Sequence, residues 1–178
     1  MIWKTASFIL LALSIALAFL VIEGHKSNAL LKRDRALERA KLSKWIYEHS
    51  TRISSKTCNE IATEVAKTNK PNLILALITV ESEHVQSACS NKGAKGLGQI
   101  MFKSHGDALI KKGIIKEERD LYDIIPNVKA IDYVLSMCLK DGKDDVTKAL
   151  TGYLGGQDVW YVKRILEYNA NLDVLAQK

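Results

Sequence analysis

"LITVESEHVQSACSNKGAKGLGQIM", residues 77–101, decides how the chain is read. It passes from an apolar stretch through two carboxylates into a turn holding Gly93, Gly96 and Gly98. A helix over Pro71 to Val85 puts Ile74, Ile78, Glu81 and Val85 on one face, with Leu77 and Val80 beside them. Glu81 thus falls on the apolar stripe, while Glu83 points roughly 200° away, toward solvent. Apolar surroundings disfavour the charged form of a carboxyl group and raise its pKa. An acid kept protonated near neutral pH can hand a proton to a leaving oxygen. The same spacing also fits a buried glutamate paired with Lys or Arg, or a helix-end residue half in solvent.

The flanking sequence is helical throughout. Thr57-x-x-Glu60 is a capping box that starts a helix near Cys58, carrying Ile61, Val65 and Ala66 inward and ending around "TNKPN". Pro71 then suits the first turn of the helix that carries Glu81. After the glycine turn a helical stretch runs from about Gln99 to Lys112. In the next helix Val128, Ile131, Leu135 and Cys138 share a face, and Asp141-Gly142 closes it. Val146, Ala149, Leu150 and Tyr153 form another apolar face, terminated by "GYLGG". A last helix from Asp158 to Tyr168 buries Val159, Val162, Ile165 and Leu166. No segment alternates with period two, so the expected fold is all-α.

The N-terminal region is different in kind. Between Lys4 and Glu23 lie eighteen residues without a charge, residues 5–22. As a helix they span about 27 Å, close to a hydrocarbon core of roughly 30 Å. A cleaved signal peptide is the rival, but its best site, Ala16-Leu17-Ala18, falls inside the apolar run. The reading is a membrane anchor over residues 1–22, a basic juxtamembrane helix and linker over 23–57, and a folded domain over 58–178. Residues 23–57 carry nine Lys/Arg against four Asp/Glu, whereas residues 58–178 carry sixteen of each. The folded part is neutral, which argues against a nucleic-acid-binding domain. The basic stretch after the anchor would, by the positive-inside rule alone, keep that domain in the cytoplasm.

Cys58, Cys89 and Cys138 form neither a disulfide framework nor a zinc pattern, and no metal or cofactor is expected. Cys138 reads as a small core residue; Cys58 and Cys89 either pair or stay free. His84 and His105 read as surface or helix-end residues.

Three spaced motifs give the chemistry a family. "VES" at 80–82, "SNKGAKGLGQIM" at 90–101 and "ALTGYLGG" at 149–156 resemble the catalytic domain of the soluble-lytic-transglycosylase family, over roughly residues 58–168. Ser90, Gly93, Ala94, Gly96, Leu97, Gln99 and Ile100 match the second motif without a gap. The resemblance implies an α-helical, lysozyme-like fold with a groove for peptidoglycan glycan strands. The implied reaction breaks the β-1,4 bond between N-acetylmuramic acid and N-acetylglucosamine, leaving a 1,6-anhydromuramoyl end. Glu81 is then the single catalytic acid/base. Tyr153 is the tyrosine whose hydroxyl approaches it, and Ser82, Ser90 and Gln99 line the groove. A lysozyme-like muramidase and a non-catalytic peptidoglycan-binding or assembly protein are the alternatives. A typical glycosidase needs a second carboxyl group, and between Glu81 and Asp107 the only other acid is the outward Glu83.

The implied place is outside the cytoplasm at the inner membrane, in a bacterial wall, secretion, conjugation or phage setting. That placement conflicts with the basic stretch. Two departures from the pattern stand out. Gly98 replaces a methionine, which predicts a wider sugar site, and Leu154 replaces the asparagine beside Tyr153.

Overall fold

A computed structural model describes residues 2–175, with side chains described from residue 19 onward. The chain divides into two compact units, one ending at Leu37 and the other beginning at Glu38. Helix α1 (Ile2–His49) supplies the first as far as Leu37, and there residues 19–37 are all exposed. Among the described residues no helix is long and apolar enough to cross a membrane. The anchor expected over residues 5–22 has most of its length in residues 5–18, whose side chains lie outside the described residues.

The second unit opens with the last turns of α1. It continues through α2 (Ser55–Val65), α3 (Pro71–Ser82), α4 (Phe102–Lys111), α5 (Ile124–Asp141), α6 (Val146–Leu154) and α7 (Val159–Leu175). Strands β1 (Ala94–Lys95) and β2 (Ile100–Met101) stand between α3 and α4, and a 3-10 helix (Glu118–Tyr122) precedes α5. Helix α3 is the central element. Leu73 to Thr79 is buried without a break, as expected of a helix apolar on every side. Each fully buried side chain there, such as Leu75, Leu77 or Ile78, contributes about 1.5–3 kcal/mol of apolar burial. Helix α7 packs along α3, and α5 packs against α6 and α2.

The all-α expectation holds for the long elements and fails at the glycine turn, which is a miniature antiparallel sheet. Ala94 pairs with Met101 and Lys95 with Ile100. A pair of two-residue strands is too short for alternation to register in the sequence.

Helix ends also moved. Ser54, not Thr57, caps α2: its side chain accepts from the Thr57 amide, so the helix starts at Ser55 rather than near Cys58. Helix α3 keeps Pro71 in its first turn but stops at Ser82, because Glu83 (φ 50°) and His84 (φ 66°) are both left-handed. Helix α4 begins at Phe102, since Gln99 is left-handed (φ 48°) and Ile100 and Met101 belong to β2. Helix α7 runs seven residues beyond the expected Tyr168, to Leu175, and buries Leu172. Its first residue, Val159, was expected inside and is 79 % exposed.

The folded domain was expected to begin at residue 58, after a basic juxtamembrane helix and linker, yet Leu42, Trp45 and Ile46 are buried in the same core as α3 and α7. Helical spacing puts all three on one side of α1, where the apolar points were too few to register as a stripe.

Candidate active site

Glu81 occupies the last turn of α3 and is partly buried. Burial pushes its carboxyl above the usual carboxylate range, and the hydroxyl of Tyr161 opposes that shift by donating to Oε1 at 2.5 Å. Among the described residues this is the only hydrogen bond to the Glu81 carboxyl. Tyr161 thereby holds one carboxyl oxygen and leaves Oε2 to carry a transferable proton. The phenol cannot compete for that role, because burial and then the nearby Glu81 charge push its own pKa far up.

This assigns the contact to a different tyrosine from the one expected. The hydroxyl of Tyr153 donates instead to the backbone carbonyl of Gly98, at 2.8 Å. Burial, and then the charge of Glu81, raise the Tyr153 hydroxyl well above its ordinary range, so it remains a donor. It joins α6 to the glycine turn that lies beside the acid.

The turn itself is built by side chains that the sequence reading gave to the groove. Ser90 Oγ accepts from the amides of Lys92 (3.3 Å) and Ala94 (3.1 Å), closing the approach to β1. Gln99 Nε2 donates to the Gly96 carbonyl at 3.0 Å, tying its side chain back onto the turn. Ser82 is buried, and its hydroxyl donates to the Ile78 carbonyl one turn back.

Two glycines are needed for space. A Cβ on Gly96 (φ 73°) would lie 2.0 Å from the Leu121 carbonyl oxygen and 2.2 Å from Asn127 Nδ2. On Gly98 it would lie 2.2 Å from Ile131 Cγ1 and 2.8 Å from the Tyr153 hydroxyl. The wider sugar site expected from Gly98 is therefore absent, because Ile131 and Tyr153 occupy that space.

Asn127, which the sequence reading missed, bolts the turn to α5. It is almost fully buried, donates to the Lys95 (3.1 Å) and Leu121 (2.6 Å) carbonyls, and accepts from the Gly98 amide (2.9 Å). The available signal was a lone amide among Ile124, Val128 and Ile131 on an inward face. Tyr161 had a similar signal, since Tyr161, Ile165, Tyr168 and Leu172 recur at helical spacing.

His84 corrects another expectation: it ends the helix but is fully buried, not on the surface. Thr79 Oγ1 accepts from Trp45 Nε1 (3.2 Å) and donates to the Leu75 carbonyl (2.8 Å). Its contact with His84 Nε2 (3.0 Å) must then run from the imidazole, which places the ring proton on Nε2. Nδ1 is buried without a partner, and burial, followed by the charge of His49, lowers the pKa to about 4. The ring stays neutral and ties the residues after α3 back onto Thr79, which in turn meets Trp45 of α1. His105 is half-buried, and burial lowers its pKa as well.

Glu83 is well exposed and faces Arg52 at 3.8 Å. Leu154 is 37 % exposed at the end of α6. All three cysteines are free, with Cys58 buried, Cys89 exposed and Cys138 between the two.

Taken together, the site is one half-buried acid held by a phenol, with a glycine turn pinned by Ser90, Gln99, Asn127 and Tyr153. Comparison with curated proteins and with solved structures found no match. The family model described as "Transglycosylase SLT domain" matches residues 59–171, which take in the Glu81 helix, the glycine turn and the tyrosine that holds the acid. The chain belongs to the transglycosylase SLT domain family, whose members act on peptidoglycan.

Proposed function

We propose that the protein is a peptidoglycan lytic transglycosylase. It cleaves the β-1,4 bond between N-acetylmuramic acid and N-acetylglucosamine and leaves a 1,6-anhydromuramoyl end. The observation that carries the proposal is the environment of Glu81: half-buried, shifted toward its protonated form, and held through one oxygen by Tyr161. Glu81 protonates the leaving glycosidic oxygen from Oε2. As a carboxylate it then takes the proton of the muramoyl 6-hydroxyl, whose oxygen closes onto C1. One group serves as acid and then as base, so no second carboxylate is required. Glu83, the nearest acid in sequence, is exposed and paired with Arg52, which favours this route over a muramidase with two carboxylates. Gln99 and the loop around Ser90 form the wall along which the glycan lies.

The test is product analysis by mass spectrometry after peptidoglycan is digested with the full-length chain. Anhydromuropeptides are expected, and reducing muramic ends alone would overturn the proposal. Glu81→Gln should reduce cleavage by at least about a thousandfold while leaving the melting temperature within a few degrees. Retained cleavage removes Glu81 from the role. Peptidoglycan lies outside the cytoplasmic membrane, and this reading puts the catalytic unit there, held by residues 5–22. A topology reporter fused after Lys178 reads the side directly, and a cytoplasmic result contradicts this part.

A further inference from the structure

Of the polar side chains buried among the described residues, Thr79, Ser82, His84 and Asn127, only His84 can take up a proton. It has no part in the proton transfers proposed for Glu81. Its Nε2 donates to Thr79, and Nδ1 is the buried side-chain atom left without a hydrogen-bond partner among the described residues. In the neutral ring Nδ1 is an acceptor only. A second proton would make it a buried donor with no acceptor, and would bring a charge with it.

No carboxylate is turned to receive that charge. Glu83, the neighbour in sequence, faces out to Arg52, and Glu81 is held by Tyr161. On α1 the titratable group beside the ring is His49, stacked on Trp45 with 3.8 Å between centroids. From α7, Tyr168 meets Trp45 and His49 by its edge, with the Arg164 guanidinium 5.8 Å from its centroid. Burial, and then the His49 charge, hold His84 down to about 4 from its ordinary 6.5.

The ring sits where the chain leaves the helix that carries Glu81. Glu83 (φ 50°) and His84 (φ 66°) are both left-handed, so the backbone reverses directly after α3. Three bonds hold this reversal. His84 donates to Thr79, the Ser50 hydroxyl donates to the Glu83 carbonyl at 3.4 Å, and the Val85 amide donates to the Ser82 carbonyl at 2.9 Å. A ring expelled into water breaks the first of them, at the same hydroxyl that accepts from Trp45 of α1.

We infer that His84 is an acid-sensitive latch on the Glu81 helix: neutral, it pins the reversal after α3 to Thr79; protonated, it leaves its pocket and frees the helix's last turn. A histidine that resists protonation when folded gives stability that is complete above its unfolded value of 6.5 and is lost as pH falls toward about 4. At about pH 5 this one group lowers the folded-to-unfolded ratio about thirtyfold. The latch also predicts an acid limb in the pH profile of cleavage. That part rests on the proposed role of Glu81, which must be protonated to begin the reaction and so gives kcat/KM an alkaline limb alone. A fall on the acid side then reports the opening of His84, not a second carboxylate.

The test compares the full-length chain in detergent with His84→Gln, whose amide N–H can reach Thr79 but does not titrate. Denaturant midpoints are measured from about pH 7.5 down to about pH 4.5, across the window between the two values of the histidine. The midpoint should fall with pH in the unsubstituted chain and fall less in His84→Gln, by about thirtyfold in the folding equilibrium at about pH 5. Equal falls overturn the latch. With soluble glycan strands, kcat/KM should lose its acid limb in His84→Gln and keep its alkaline limb. An acid limb of the same depth in both chains, or none in either, overturns the hold on Glu81. Should His84→Gln not fold, magnetic resonance of the unsubstituted chain with labelled histidine decides. The His84 ring should keep its Nε2–H form down to about pH 5, and a ring half-protonated at about pH 6.5 in the folded chain overturns the latch. A chain that cleaves at no pH removes the transglycosylase reading, and the midpoints still decide the latch.

Discussion

Two glycine turns, one before α4 and one before α7, bear on the setting of Glu81, and they use glycine for opposite reasons. In the turn between β1 and β2, Gly96 and Gly98 are enclosed, and an added methyl group would collide with Leu121, Asn127 or Ile131. In the turn between α6 and α7, Gly155 and Gly156 have nothing within 4 Å of a built Cβ, and only Gly155 (φ 71°) has a backbone reason to be glycine. The first turn is a packed wall. The second is an open connection, whose role is to reverse the chain so that Tyr161 comes back to Glu81 and Trp160 stays outside.

That contrast makes Gly96→Ala the most damaging of three substitutions. Left-handed strain and a backbone collision together predict a loss of about 3–5 kcal/mol, read as a fall in the denaturant midpoint. A loss below about 1 kcal/mol would mean that the wall yields and is not a rigid partner of the acid.

Tyr161→Phe tests what the open turn delivers. It should lower kcat about tenfold with a small change in stability, since the carboxyl loses the group that fixes Oε1. The sign of the pH effect is also fixed. The donated hydroxyl lowers the Glu81 pKa against the raising effect of burial, so its removal lets the pKa rise further. Activity that requires protonated Glu81 falls on the alkaline side, and in the variant this limb should move to higher pH. A limb that stays in place or moves down contradicts the assignment.

Gly156→Ala lies at the other end of the scale. It should change stability by no more than about 0.5 kcal/mol and leave cleavage unaltered. A large loss there would erase the distinction between the two turns.

The sequence was informative where a feature repeats or carries a strong local preference. The apolar run of α3, the proline at its start and the ends of α5 and α6 at Gly142 and Gly155 all have local causes. Glu81 was legible because a carboxylate among Ile74, Ile78 and Leu77 is conspicuous. What stayed hidden depends on partners distant in sequence. Tyr161 lies eighty positions from the carboxyl it holds, and Asn127 lies 29 from the Gly98 amide it accepts from. Motif matching favoured Tyr153, which sits in a recognisable string; the hydroxyl that reaches the acid comes from the next helix. Likewise, the side chain missing at position 98 looked like extra room for a ligand. Only the packing shows that Ile131 has already taken it.

The last turns of α1 have a practical consequence for where this folded body begins. The family-matched stretch opens at residue 59, but Leu42, Trp45 and Ile46 form part of the core, and Trp45 supplies the indole proton that Thr79 accepts. A chain started at Cys58 would expose one flank of α3 and strip that donor from the hydroxyl on which His84 rests. The segment before the family boundary is thus a shingle over the helix that carries Glu81 in its last turn, and a trimmed chain would be roofless on that side.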